Sequence, residues 1–364
     1  MDRGHGTVKW FTVHILASVE PERRQGLDDS QRHNAPVFSA APTVYHPYLN
    51  GVYTVSAGLY RLGVQPIEGR LEHHTFAFDR TYPHYMAAKA AARTRALHES
   101  YTLAGLHPSL RERALDFIAH AAAHDSGGIL TWDGQTLGND ALGWAGTLDL
   151  RRGALENLRR FPAPYARLVS EVMPTDALDF LAMNVQEDLS ILAVDAQTGT
   201  DFLAAIHVLL PERWNPLDKI GRDFAAVHAP VAGSGPMIAT APKLVKAALE
   251  HGPFVRFVWG VTPSGKLDHH PNLPPEPGLS DDPAQFFLRA ERQTLHGFAA
   301  QHGALFTIRT YLYPLCELLD TPARSAALAA GLRTMTPAQL EYKGLSRSRA
   351  ALLDWLDRRA RVGA

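Results

Sequence analysis

The sequence predicts a mixed α/β fold of the α+β kind, with a strand-rich core over about 170–315 wrapped by helices from both ends of the chain. Three observations predict it. Two alanine-rich, proline-free stretches carry good helix formers through 85–99 and 109–124. Apolar runs bounded by turn residues recur in the middle, at 180–195, 201–210, 255–261, 286–293 and 304–312. The tail, 322–361, returns to helix-forming composition.

Taken in order, 47–64 reads as an extended lead-in, and the basic, alanine-rich 85–99 as a helix. Pro108 starts the helix at 109–124, and Asp125-Ser126-Gly127-Gly128 stops it. A third helical region, 151–160, breaks at Pro162 and Pro164, so the front third reads as largely helical. Strands at 180–195 and 201–210 are joined by the turn Ala196-Gln197-Thr198-Gly199, and the apolar run 202–210 predicts burial on both faces. A helix spans 216–227: Asn215 caps it, Pro216 fits its first position, and Pro230 prevents continuation past His228. A helix at 241–251, a strand at 255–261, a proline-rich surface loop at 271–283 and strands at 286–293 and 304–312 follow. No repeat period is visible. Residues 1–41 read as a poorly ordered leader, and 42–364 as one domain whose front third and tail are layers on the core.

The chain has 364 residues, 46% hydrophobic and 20% charged, with a formal net charge of -1. That balance provides no basic field for nucleic acid or an anionic membrane. No run reaches the roughly 18 apolar residues of a membrane span. His14 interrupts the apolar stretch 10–19 and no cleavage site follows, so a cytoplasmic protein is expected. The single cysteine, Cys316, excludes an internal disulfide or a self-contained four-cysteine cluster, and reads as a buried structural thiol in preference to a metal thiolate. No glycine-rich dinucleotide or phosphate loop occurs, so the chain is not expected to bind a dinucleotide through such a motif.

The most informative stretch is 211–231. At about 100° per residue, Gly221, Phe224, Ala225 and His228 share one helix face, where a flat ring could approach with the imidazole at its centre. From this segment alone, a hydrogen-bonded core histidine is the commoner role. Lys219, nine residues before His228, falls on the opposite side of a continuous helix and would act outside the ring face.

Six blocks in sequence carry a resemblance: Gly58-Leu59, Gln186-Glu187-Asp188-Leu189, the 211–231 segment, 289–295, 305–311 and Tyr342-Lys343-Gly344-Leu345. Together, over about 47–356, the chain resembles the haem-dependent oxidative N-demethylase α-subunit family. The resemblance implies a PAS-like antiparallel sheet core that holds haem b against short helices. It also implies oxidative removal of a methyl group from a small secondary amine such as dimethylamine, with O2. Electrons would come from NADPH through a flavin-containing reductase partner, and the products would be a primary amine and formaldehyde. By this analogy His228, in His228-Ala229-Pro230-Val231, is the axial haem ligand, with Lys219, Gly221 and Phe224 as cofactor neighbours. One departure stands out: where the family suggests Arg-x-Asn-Trp, this chain has Arg256-Phe257-Val258-Trp259.

Alternation on the late strands puts Arg289, Glu291 and Gln293 on one side and Ala290 and Arg292 on the other, with Phe306 and Ile308 alternating with Thr307, Arg309 and Tyr311. Buried arginines need carboxylate partners. Either Arg292 or Arg309 pairs with haem propionates while Glu291 or Glu187 holds a cationic amine, or these residues form a structural network closing the sheet. His207, within a strand, is the second candidate haem ligand. His120 and His124 have metal-compatible spacing but no evident third ligand, and read as an exposed helix end. The pairs His73-His74 and His269-His270 read as solvent-facing turns. The expected activity is a haem oxygenase-type N-demethylase. Alternatives are a haem-PAS-type O2 or redox sensor, for which no output module is visible, and a haem-free structural subunit.

Overall fold

A computed structural model describes residues 38–361, which fall into one compact unit. The leader expected at 1–41 lies outside the described residues up to residue 37; Phe38 itself is buried and packs on Phe78 and Tyr82.

Among the described residues the first elements are a short strand, β1 (Tyr60–Arg61), and a small hairpin, β2 (Pro66–Ile67) and β3 (Arg70–Leu71). Helix α1 (Tyr82–Ala96), strand β4 (Tyr101–Leu103) and helix α2 (Pro108–Asp125) follow. An antiparallel meander comes next: β5 (Leu130–Trp132), β6 (Thr136–Asn139), β7 (Trp144–Asp149) and β8 (Ala154–Arg160). The front third is therefore not largely helical, and the helix expected at 151–160 is a strand. The misleading signal is the spacing of Leu155 and Leu158. A register shift pairs Leu148 with Leu155 but Thr147 with Asn157, so Glu156 is an extra residue and both leucines reach the core.

The expected strand at 180–195 is also corrected. It begins as a helix, α3 (Ala177–Ala182), capped by the Asp176 side chain, and becomes β9 only at Asp188–Val194. All six α3 residues are buried, so the apolar run has no period to separate helix from strand. Strand β10 (Asp201–His207) follows its predicted turn. Three short helices come next, α4 (Phe224–His228), α5 (Gly235–Ile238) and α6 (Ala241–Glu250). Then come β11 (Phe254–Thr262), β12 (Phe287–Phe298) and β13 (Gly303–Pro314). The chain ends in α7 (Leu315–Leu318), α8 (Pro322–Thr334), α9 (Pro337–Tyr342) and α10 (Arg349–Arg361).

The main sheet has the order β1-β11-β12-β13-β9-β10-β4, with every pairing antiparallel. Two glycines show what covers its faces. A Cβ on Gly303 would collide with Leu110 of α2, whereas one on Gly297 would collide with backbone carbonyls of Ala248 and Leu249 in α6. Side chains alternate along a strand, so the α2 side and the α6 side are opposite faces, here called inner and outer. The inner face is sealed: Leu305, Thr307 and Arg309 are 0% exposed and Tyr311 3%. Between them, on the outer face, Phe306 and Ile308 are only half-buried, as are Arg256, Val258, Glu291 and Leu295. Cys316 is exposed, contrary to expectation, because α7 is a single turn that buries Leu315 and Leu318 and turns the intervening residues outward. Among the described residues, no helix is long and apolar enough to cross a membrane.

Candidate functional site

The helix expected over 216–227 is two pieces. A 3-10 turn at Pro216–Asp218, capped by Asn215, gives way to a break, and α4 starts only after a second cap, where Asp223 accepts from the Ala226 N–H at 2.6 Å. Gly221 sits in the break at φ +71°, and its N–H donates to Leu203 O on β10 at 2.8 Å. The face shared by Gly221, Phe224 and His228 therefore does not exist as a helix face. Lys219 is not on the far side either: its Nζ donates to Val227 O at 2.9 Å, next to His228.

His228 lies 2.8 Å, through Nδ1, from Phe224 O, and the two rings pack 4.2 Å apart. A carbonyl can only accept, so Nδ1 carries the proton and Nε2 is left as an acceptor. Burial lowers the His228 pKa; the Phe224 carbonyl opposes this, and Arg256 and Lys219 push it down further. The result is a neutral imidazole with one lone pair and no hydrogen-bond partner for Nε2 among the described residues.

Arg256 of β11 is within charge range of both His228 and Glu291 of β12. Its Nη2 donates to Ser56 O at 3.0 Å, but its buried Nε has no partner among the described residues, and burial lowers its pKa against the pull of Glu291. Val258 pairs with Glu291 across the β11–β12 ladder, and both line a cleft with Glu212, Arg289 and Lys343. Lys343, just past α9, is half-buried with no ion pair among the described residues; burial lowers its pKa, opposed mainly by Glu291.

The far wall of the cleft is rigid. Arg289 Nε lies 2.9 Å from Glu212, which also meets His269 Nδ1 at 2.6 Å; His269 Nε2 is 2.9 Å from Ser264 Oγ, and that hydroxyl donates to Glu276 at 2.6 Å. Burial alone would raise the Glu212 carboxyl, but Arg289 and His269 bring it down to about 2. Glu212 is thus an ionised anchor and not a proton carrier. His269 and His270 are accordingly not solvent-facing: His269 is held in this chain and His270 is 2% exposed.

The other sequence candidates lie against the inner face. Arg292 pairs with Glu72 at 3.2 Å and also donates to the Thr75 and His74 carbonyls. Arg309 pairs with Asp79 at 2.9 Å, donates to Thr81 at 3.1 Å, and lies over the Tyr85 ring at 3.8 Å. Glu187 accepts from the Ala77 N–H at 2.8 Å, with its second oxygen unpaired among the described residues; burial raises its pKa and Arg309 opposes this. His207 is fully buried on Asp179 at 3.0 Å. The structure therefore gathers His228, Lys219, Phe224 and Glu291 on one side, and Glu187, Arg292 and Arg309 on the other. A single planar group cannot touch both sets.

Sequence reasoning missed Arg256, Lys343 and the Glu212–His269–Ser264 chain. Two signals could have found the cations: Arg256 opens the Arg-x-Asn-Trp-like block, and Lys343 lies in the block 342–345. The outer face offers one imidazole lone pair for a metal, cations for carboxylates, and, in Glu291, a half-buried carboxylate that accepts from Gln293 Nε2 at 2.9 Å and lies 3.8 Å from Arg289 Nε. A family model described as haem-dependent oxidative N-demethylase, alpha subunit-like, matches residues 67–353, from β2 to α10. The chain therefore belongs to the haem-dependent oxidative N-demethylase, alpha subunit-like family.

Proposed function

We propose that this chain is the haem-binding, amine-oxidising subunit of an oxidative N-demethylase acting on a small secondary amine of the dimethylamine class. The observation that carries the proposal is the His228 arrangement: Nδ1–H is fixed to Phe224 O, which leaves Nε2 as a ligand atom beside a half-covered sheet face. The unpaired Nε of Arg256 and the Lys219 ammonium supply positive charge for the carboxylates of haem b. An antiparallel sheet with short helices α4–α6 over one face supports the PAS-like description.

Bound haem supplies O2 activation and one-electron chemistry. For dimethylamine the balanced reaction consumes the amine, O2, two electrons and two protons, and yields methylamine, formaldehyde and water. The electrons come from NADPH through a flavin-containing reductase partner. Glu291 holds the methylammonium by an ion pair, and Lys343, with no ion-pair partner among the described residues, delivers a proton. The Glu212–His269 chain keeps the opposite wall in place. Val258 gives the cleft an apolar wall next to Glu291, so dimethylamine itself is one member of the class to be screened, alongside bulkier N-methylamines.

The test is the visible spectrum of the purified protein, oxidised and dithionite-reduced, in wild type and His228→Ala. A Soret band near one haem per chain that is lost in His228→Ala supports the ligand, and N-methylamines are then screened for formaldehyde release with an added reductase. A normal Soret band in the variant overturns the ligand. No band after haem addition overturns the activity.

A further inference from the structure

We propose that His74, His124 and Asp125 form a second metal site, for a divalent ion of the zinc, nickel or copper class, independent of any haem. His124 and Asp125 close α2, and His74 precedes the loop residue Phe76. Asp125 Oδ1 lies 3.0 Å from His74 Nδ1 and 2.8 Å from His124 Nδ1, and the three ligand atoms are all within 4.8 Å of one another. Tetrahedral zinc with bonds of about 2.0–2.2 Å spaces its ligand atoms about 3.4 Å apart. Insertion of the ion therefore asks each imidazole to retreat by roughly half an ångström. The imidazoles are free to do so, since the His74 and His124 side chains are 59% and 82% exposed.

The carboxylate, in contrast, is fixed. Asp125 is 4% exposed at its side chain, and its Oδ2 accepts from the Phe76 N–H at 2.9 Å, which aims Oδ1 at the two rings. Neither imidazole Nε2 has a partner among the described residues, so a proton displaced from Nδ1 by the ion moves to a nitrogen in water at little cost. Two imidazoles and one carboxylate suit borderline ions over magnesium or calcium, and leave a fourth position for water. The ion would tie the loop at 72–76 to α2. That loop supplies Glu72, the His74 carbonyl and the Thr75 carbonyl, the three partners of buried Arg292.

The experiment is a zinc titration of tag-free, full-length protein against a chromophoric chelator, with Co2+ spectra in parallel, in wild type, His74→Ala, His124→Ala and His228→Ala. One zinc per chain with micromolar affinity is expected, with a Tm that rises on zinc addition. Each of His74→Ala and His124→Ala should weaken binding at least about tenfold while keeping the metal-free Tm, because both side chains are exposed; His228→Ala should bind as wild type. His74→Gln, which keeps a polar side chain of similar reach, serves as the second variant should His74→Ala lose its metal-free Tm. Binding only at millimolar zinc, affinity unchanged in both histidine variants, or a loss in only one of them would overturn the shared site.

Discussion

The two faces of the seven-stranded sheet are built from the same strands and carry the same kinds of charge, yet the outer face keeps cations that have no carboxylate beside them among the described residues. On the inner face, Arg292 and Arg309 each receive a carboxylate from the segment 72–81, and solvent is shut out. On the outer face Arg289 is likewise paired, with Glu212, but neither Arg256 nor Lys343 has a carboxylate in ion-pair range among the described residues, and Val258 and Glu291 beside them are half-buried. A buried guanidinium that the protein has already paired is part of the fold. On the function proposed above, one without a carboxylate partner beside a half-covered sheet face is where a ligand would complete the structure.

The contrast can be broken most directly by removing one arginine from each face. Arg309→Met should cost about 3–5 kcal/mol in denaturant unfolding, because Asp79 is left buried without its partner. Arg256→Met should cost about 1 kcal/mol, the worth of one hydrogen bond to Ser56 O, while weakening haem retention. Equal stability losses would erase the distinction between the faces.

A pH titration of stability sharpens the same comparison. His296 is 8% exposed on the inner-face side of β12, packed on Phe117 and meeting Thr75 at 3.1 Å. Burial, reinforced by Arg292, lowers its pKa to about 4. The unfolded chain binds this proton near pH 6.5 and the folded chain only near 4, so stability is full above 6.5 and falls as pH drops between the two. The loss should approach about 3 kcal/mol. His296→Leu should flatten that limb of the profile; an unchanged limb would place the acid sensitivity elsewhere.

On the proposed function, Glu291 and Glu187 should separate the faces in kinetics. Glu291→Gln should raise KM for the amine by about 10- to 100-fold, the worth of a charged hydrogen bond, with the Soret band unchanged. Glu187→Gln should leave KM near wild type, because that carboxyl is 0% exposed on the sealed side. A KM effect in Glu187→Gln alone would move the amine to the inner face.

How legible this was in the sequence depends on what sets each feature. Alternation along β12 and β13 correctly separated Arg289 and Glu291 from Arg292, because strand period is local. The meander escaped because a bulge at Glu156 gives two leucines helical spacing, and α3 because a fully buried run has no period. The break at Gly221 was signalled by two successive caps, Asn215 and Asp223, but a continuous helix ignores the second. Which side of the sheet the chain leaves open is set by α2 and α6 crossing it from distant positions, and no local pattern encodes that. The same holds for His74 meeting His124 across 50 residues of chain; both are solvent-exposed, as the sequence predicts, but their proximity is not local information.

The smallest expected effect tests the floor of the cleft. Val258 replaces the polar residue that the family-like block suggests, and it stands directly across the ladder from Glu291. An apolar wall there removes a hydrogen-bonding option for a small, strongly hydrated ammonium and favours an N-methylamine with a larger apolar substituent. Val258→Asn should therefore shift kcat/KM toward dimethylamine over a bulkier N-methylamine by about tenfold or less, within the range that one pocket contact commands. The stability change should be small, since Val258 is half-buried at the open face. A shift toward the bulkier amine, or none with either substrate, would mean that position 258 does not face the amine and that the recognition lies with Glu291 and Lys343 alone.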